Sequence, residues 1–167
     1  MTQTGPNEGV TGAAADDAAR LMDSAKSVAL ATLEATSGMP YASLVTVALD
    51  VDGAPLLLIS RLARHTQNLE ADPRASLLFT PAAIAADDPL AGARVTVMGR
   101  LTPAANPTAR DRFLANHPDA APYARFADFR FFAMTIDHAH FIGGFGRIIE
   151  VPGAELLQAV RLAIAQG

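Results

Sequence analysis

The segment that decides the fold runs from Pro40 to Phe79 and reads PYASLVTVALDVDGAPLLLISRLARHTQNLEADPRASLLF. It begins with two apolar strands, predicted over Tyr41 to Val51 and Pro55 to Ser60, which are joined through Asp52-Gly53. Such a dipeptide favours a tight hairpin, because both residues tolerate positive φ. We therefore predict an antiparallel strand pair.

A polar cluster follows the second strand, at the start of a predicted short helix. We expect this helix to run from Gln67 to about Ala71, with Thr66 as its N-cap and Asp72-Pro73 as its end. The first N–H groups of a helix have no intrahelical partner and, together with the helix dipole, attract anions. This predicts an anion cradle suited to a phosphorylated cofactor. Its donors are Ser60, Arg61, Arg64, His65 and Thr66.

The same cations have a simpler interpretation. Arg61, Arg64 and His65 can belong to a solvated loop that pairs with Glu70 or Asp72, and exposed pairs of this kind contribute little. The residues by themselves leave both interpretations open.

The first strand is apolar almost without interruption from Leu44 to Leu49. An antiparallel strand with one solvated face alternates between apolar and polar residues. The uninterrupted run therefore indicates that both faces are covered, either by a closed barrel or by a second chain.

The rest of the chain combines short strands and helices without an internal repeat. We predict one domain, residues 13–167, after a flexible N-terminus, residues 1–12, and a β barrel decorated by helices. Predicted helices are Ala13–Lys26, Asn106–Asn116 with Asn106 as N-cap, and Pro152–Ile164. Predicted strands are Ser27–Leu33, Ala75–Thr80, Ala93–Leu101, Phe129–Asp137, Ala139–Ile142 and Arg147–Val151, with a break or bulge near His138 and a loop over Pro81–Gly92.

Composition narrows the class of protein. The chain has 167 residues, a net charge of −4 and no cysteine. The small charge argues against nucleic acid as a partner, and the lack of cysteine suits a reducing compartment. No apolar run approaches the ~20 residues that span a bilayer, and the N-terminus lacks the pattern of a secretory signal. We therefore expect a soluble cytoplasmic protein without a membrane partner.

Histidines and aromatic residues outside the cradle have ordinary explanations. His138 and His140 would share one strand face, but no third ligand is near in sequence, so we predict no metal site. His117, beside Pro118, is expected to cap a helix C-terminus. Six phenylalanines can stack on a flat cofactor or fill the core and an interface: Phe126, Phe129, Phe131, Phe132, Phe141 and Phe145.

The run Asp72–Phe79, preceded by Arg64-His65 and by the Asp52-Gly53 hairpin, resembles the core of the pyridoxamine 5′-phosphate oxidase-related FMN-binding split barrels. The stretches Ser60–Asn68 and Gly143–Arg147 are most similar to the haem-utilisation branch. The resemblance implies a mainly β (α+β) fold, a six-stranded antiparallel Greek-key split β-barrel with peripheral helices. It also implies a homodimer with FMN in the clefts between subunits.

The resemblance also implies a set of cofactor-binding residues. Arg64 and His65 fall where the oxidases hold the FMN phosphate, and Ser60 and Thr66 would add hydroxyl donors. The strand Ser43–Val47 would run beside the flavin, with Ser43, Val45 and Thr46 in contact with it. Arg94 falls where the oxidases place a glutamine near the ring.

Two departures from the family pattern limit the expected activity. Ser43 and Ala48 stand where the oxidases have an arginine and a lysine, so oxidation of pyridoxamine phosphate is not expected. The chain has no histidine after His140, so haem oxygenase activity is not expected either. The resulting hypothesis is an FMN-dependent oxidoreductase acting on a small molecule, with no side chain assigned as acid or base. The alternatives are a non-catalytic FMN or haem storage protein, a deazaflavin in place of FMN, and an interaction domain with a vestigial cleft.

Overall fold

The computed structural model describes residues 6–81, 88, 90–144 and 146–166, with the backbone alone for residues 6–8. The helices are α1 (Pro6–Ser24), α2 (Arg64–Ala71), α3 (Ala109–Asn116) and α4 (Gly153–Gln166), with short 3₁₀ helices at Pro118–Ala120 and Tyr123–Arg125. The strands are β1 (Ser27–Leu33), β2 (Pro40–Thr46), β3 (Ala48–Leu49), β4 (Pro55–Ser60), β5 (Arg74–Phe79), β6 (Ala93–Pro103), β7 (Phe129–Gly143) and β8 (Ile148–Pro152).

The strands of the described residues form one antiparallel sheet that curls back on itself. Its order is β2-β1-β5-β6-β7-β4-β3, and β8 pairs with the second half of β7. The strands β2 and β3 lie at opposite ends of this order, although only Val47 separates them in the chain. The backbone N–H of Val47 donates to Lys26 O at 3.1 Å, next to the start of β1. The sheet is therefore a split barrel, and the predicted fold class is confirmed.

The strand count differs from the expected six. The predicted strand Tyr41–Val51 is divided at Val47 into β2 and β3, and the strand predicted at Arg147–Val151 is present as β8, beyond the six that the resemblance implied. The predicted Asp52-Gly53 hairpin joins β3 to β4, with Gly53 at φ 89° and Asp50 N donating to Ala54 O at 2.9 Å. The bounds of β1 and β4 are those predicted.

Apolar residues on both faces of β4 pack into two separate clusters. Leu57 and Ile59 belong to the main core inside the curled sheet, whereas Leu56 and Leu58 pack with Phe113 of α3 on the other side. The run Leu44–Leu49 was predicted to be covered on both faces. In the structure Val45 and Val47 are buried, but the side chain of Leu44 on β2 is 76% exposed. The chain therefore covers both faces of β4 but leaves one face of β2 open.

A bulge keeps β7 continuous where a break or bulge was predicted. The pairing of β6 with β7 shifts register between Met98 and Gly99, which leaves Asp137 without a direct partner on β6. A Cβ on Gly99 would lie 2.0 Å from Thr135 O, so this position accepts only glycine without a backbone shift.

Two predicted helix starts are wrong. The helix α2 begins at Arg64 with Ala63 in the N-cap position, and Thr66 lies inside the helix, where its N–H donates to Ala63 O at 3.1 Å. The helix α3 begins at Ala109 with Thr108 as N-cap; the side chain of Asn106 instead accepts from Thr108 N and donates to Asp50 Oδ2. Neither helix has a side-chain hydrogen bond from its N-cap residue.

At the N-terminus α1 begins at Pro6, before the predicted Ala13. None of the described helices is long and apolar enough to cross a bilayer. Phe145, the predicted loop residues 82–87 and 89, and residues 1–5 of the predicted flexible N-terminus lie outside the described residues.

Candidate functional site

A groove of about 460 Å³ lies between β2 and β4, and we call it the β2–β4 groove. The start of α2 stands at one end of it, and aromatic residues of the segment before β7 stand at the other. Its lining residues are Leu44, Val45, Thr46, Leu58, Ile59, Ser60, Ala63, His65, Tyr123, Phe126 and Phe129.

A second groove of about 490 Å³ runs between α1 and α4 and is lined by residues such as Asp16, Arg20 and Leu162. It contains none of the site residues that the sequence predicted. The β2–β4 groove contains four of them, Val45, Thr46, Ser60 and His65, and is therefore the candidate site.

His65 is the second residue of α2 and turns its ring toward β2. Its Nδ1 lies 3.1 Å from Ser43 Oγ, which places the predicted residue Ser43 at the edge of the groove. Burial lowers the pKa of His65 below its ordinary value, so the imidazole is mainly neutral at pH 7. The pair therefore offers hydrogen bonds to a ligand without carrying a fixed charge.

Ser60 ends β4 and is already hydrogen bonded. Its hydroxyl donates to Asp128 Oδ2 at 2.7 Å and accepts from Leu62 N at 3.1 Å. Ser60 was expected to be a free donor, but its hydroxyl proton is engaged by the carboxylate of Asp128, a residue that the sequence analysis did not predict at the site. Asp128 is 68 positions away in the chain, and no local pattern marks it.

Arg64 begins α2, but its side chain is directed toward the turn after β1. Its Nη1 donates to Glu34 Oε1 at 2.5 Å, and the side chain is 58% exposed. A hydrogen bond from Ser37 and the positive charge of Arg64 hold the pKa of Glu34 below its usual value. The predicted phosphate ligand Arg64 is therefore at the correct helix end but is engaged by another carboxylate.

Two predicted residues are not brought to the groove surface. Thr66 is fully buried, and its hydroxyl has no partner among the described residues. Arg94 donates to Leu90 O at 2.9 Å and to Gly92 O at 3.3 Å. It does not line the groove, because its strand β6 is separated from β4 by β7 and from β2 by β5 and β1.

The aromatic end of the groove consists of three side chains. The ring centroids of Tyr123 and Phe129 lie 5.1 Å apart, and those of Phe126 and Phe129 lie 6.3 Å apart. Phe126 is 57% exposed. The sequence predicts Phe126 and Phe129 as candidates for stacking on a flat cofactor, but it does not predict Tyr123. Phe132 and Phe141 fill the main core instead.

The histidines outside the groove have structural surroundings. His117 is the C-cap of α3, as predicted, and its Nε2 donates to Val47 O at 2.7 Å. His138 and His140 pair with Met98 and Thr96 of β6. Within the part of the chain that the structure describes, no three His, Cys, Asp or Glu side chains are grouped so as to hold a metal ion.

Comparison with known proteins agrees with this architecture. The family model described as CREG, beta-barrel matches residues 11–158. The chain is 35% identical over 112 residues to the Arabidopsis thaliana protein named non-canonical heme oxygenase HOZ, chloroplastic, which corresponds to 64% of this chain and 33% of that protein. A heme binding protein from Mycobacterium smegmatis has a TM-score of 0.81 and 35% identity, covering 87% of this chain and 60% of that one.

More distant similarity shows the fold alone. A protein of the pyridoxinephosphate oxidase family from Clostridium acetobutylicum has a TM-score of 0.66 at 14% identity, over 87% of this chain and 98% of that one. The chain spans about a third of the length of the plant relative and 60% of the mycobacterial one. With the family model matching most of the sequence, the chain belongs to the CREG β-barrel family of FMN-binding split barrels, as the resemblance predicted.

Proposed function

We propose that the protein binds FMN in the β2–β4 groove and acts as a flavin-dependent oxidoreductase on a small molecule. The observation that carries the proposal is the polarity of the groove. Apolar and aromatic side chains line one part of it, and the start of α2 lies at the other. This arrangement suits a flat conjugated ring joined to a phosphate.

The start of α2 supplies what a phosphate needs. The backbone N–H groups of Arg64 and His65 open the helix, where intrahelical acceptors are lacking, and the helix dipole favours an anion there. His65 can donate from its ring. Arg64 lies at the same helix end and can donate to a phosphate when its ion pair with Glu34 opens. The donor set therefore fits a phosphate.

The flavin, when bound, would supply the redox chemistry. The chain would hold the ring with Val45 and Thr46 of β2 on one side and the aromatic end on the other. It would also exclude water from the ring. We assign no side chain as a general acid or base.

We also propose that a second copy of the chain completes the site. Leu44, exposed at 76%, lines the groove and lies in register with Ala29 of β1, which is in register with Leu78 of β5. These three residues form an apolar row across the open outer face of the sheet. A homodimer would bury this row and close the groove against water.

Haem is a second candidate ligand, and two observations favour it. The two relatives at 35% identity carry haem in their names. A neutral His65 at the groove is also a suitable iron ligand, and the anionic propionates of haem would suit the start of α2 as a phosphate does. In this case the protein would bind or store haem without flavin chemistry. A deazaflavin with a phosphate tail would use the same groove.

Titration of the purified protein with FMN, riboflavin and ferric haem tests these proposals. We expect quenching of FMN fluorescence with tighter binding than riboflavin, and bleaching of the bound flavin by NAD(P)H followed by reoxidation in air. A Soret shift with haem and no quenching with FMN would favour the storage function. Binding of neither would overturn both. Since the chain lacks cysteine, we place this activity in the cytoplasm.

A further inference from the structure

Asp128 links the aromatic end of the groove to the end of β4. It lies in the turn from Phe126 to Phe129, where Phe129 N donates to Phe126 O at 3.1 Å. Its carbonyl oxygen accepts from Arg61 N at 2.7 Å, and its carboxylate accepts from the Ser60 hydroxyl at 2.7 Å. Two hydrogen bonds that Asp128 accepts therefore fix the two phenylalanines relative to β4.

The carboxylate also accepts the hydrogen bond that Ser60 would otherwise donate to a ligand. A hydroxyl has one proton to donate, and Ser60 uses its oxygen to accept from Leu62 N as well. A phosphate oxygen within hydrogen-bond distance of Ser60 Oγ would lie no more than about 5.5 Å from Asp128 Oδ2. The phosphate and Asp128 would then compete for the same proton and repel each other.

No cation neutralises this carboxylate within the part of the chain that the structure describes. The side-chain ion pairs there involve other acids, and Arg64, the cation at the start of α2, is paired with Glu34. The side chain of Arg61 is exposed and contributes only its backbone N–H to Asp128. The Ser60 end of the groove therefore carries a carboxylate that has no ion-pair partner among the described residues.

We infer that Asp128 limits the preference of the groove for a phosphorylated ligand: it positions the aromatic end through Ser60 and Arg61, and its carboxylate repels a phosphate, so that FMN binds more weakly than the start of α2 alone would allow while riboflavin is unaffected. The phosphate is directed away from Ser60 toward the first turn of α2. This inference rests on the proposed binding of a flavin in this groove. Asp128 lies between Phe126 and Phe129 and is not one of the proposed phosphate donors.

The substitution Asp128→Asn separates the charge from the hydrogen bond, because the amide oxygen can still accept from Ser60. We expect FMN to bind about 3- to 10-fold more tightly, from the loss of one repulsive charge at this distance, while riboflavin affinity stays the same. The gain should shrink in 0.5 M salt. Asp119→Asn removes the same charge from the exposed 3₁₀ helix Pro118–Ala120 and serves as the matched control, with no change in the ratio of the two affinities.

A second variant tests the positioning role. Asp128→Ala removes the charge and the acceptor together, so the ratio of FMN to riboflavin affinity should rise as in Asp128→Asn, while riboflavin itself binds several-fold more weakly because the aromatic end loosens. An unchanged or lowered ratio in both variants would overturn the inference and leave the proposed function standing. Failure of the wild-type protein to bind either flavin would overturn the proposed function and this inference with it.

Discussion

The guanidinium of Arg64 lies 2.5 Å from the carboxylate of Glu34, so the cation that opens α2 is held by the turn after β1 and not by the groove beside it. Arg64 can serve a phosphate only if this ion pair opens. A stronger ion pair therefore lowers the affinity for a phosphorylated ligand.

Glu34→Gln should tighten FMN binding by up to about fivefold, since exposed ion pairs of this kind are weak. Arg64→Ala should weaken FMN binding and leave riboflavin binding unaffected. In the double variant the effect of Glu34→Gln should vanish, because the cation that it releases is gone. Fluorescence titration measures all three variants, with Glu70→Gln on the exposed side of α2 as a charge-matched control. Equal gains with and without Arg64 would contradict this explanation.

The affinity for FMN should increase as the pH falls from 8 to about 6.5. Burial keeps the pKa of His65 low in the free protein, and a phosphate bound at the start of α2 would raise it, so binding takes up a proton. Riboflavin, which has no phosphate, should show no such trend. His65→Gln keeps a donor but cannot titrate, and its FMN affinity should be flat over this range; a slope equal to that of the wild type would show that another group is responsible.

Asn68→Ala should lower the free energy of unfolding by about 1–3 kcal/mol, the cost of leaving buried polar groups without partners. The buried Asn68 amide donates to Thr32 Oγ1 at 3.0 Å and accepts from Ala35 N at 3.2 Å, which fixes α2 against β1. Urea unfolding gives the value. Asn116→Ala is the matched control, because that amide donates only to Arg112 O within its own helix. A loss no larger than that of the control would mean that other contacts position α2.

Leu44→Asp should convert the proposed homodimer into monomers. The substitution places a charge at the exposed β2 end of the apolar row that Leu44, Ala29 and Leu78 form, and burial of an unpaired charge at an interface is strongly unfavourable. Sedimentation velocity reports the change, and FMN affinity should fall with it. The exposed Thr102→Asp, on β6, is the control for a charge added to a strand. A wild-type protein that sediments as a monomer would refute the proposed dimer.

Local patterns in the sequence predicted the strands and the hairpin well. The bounds of β1 and β4 and the Asp52-Gly53 turn follow from apolar runs and turn residues that act over a few positions. The family followed from motifs between Pro40 and Phe79, and the family model matches residues 11–158.

The parts that sequence reasoning missed depend on contacts between distant residues. Thr66 has the residue type of an N-cap, but α2 begins two residues earlier at Arg64, and Asn68 in the same helix is hydrogen bonded to Thr32, 36 positions away. Asp128 acquires its role only because the pairing of β4 with β7 brings Ser60 opposite Phe129. Neither relationship has a signature within a short window of sequence.

The pairing of β4 with β7 also governs the order in which this molecule can fold. The pairs β1–β2, β3–β4, β5–β6 and β6–β7 join consecutive strands, whereas Leu56 of β4 pairs with Ala133 of β7, with α2, β5, β6 and α3 between them in the chain. Such non-local pairing is slow because a long loop must close first. Phe126 and Phe129 reach the groove only with this step, so a cofactor cannot bind before it. Bound cofactor would therefore prolong the lifetime of the folded protein without making it fold faster.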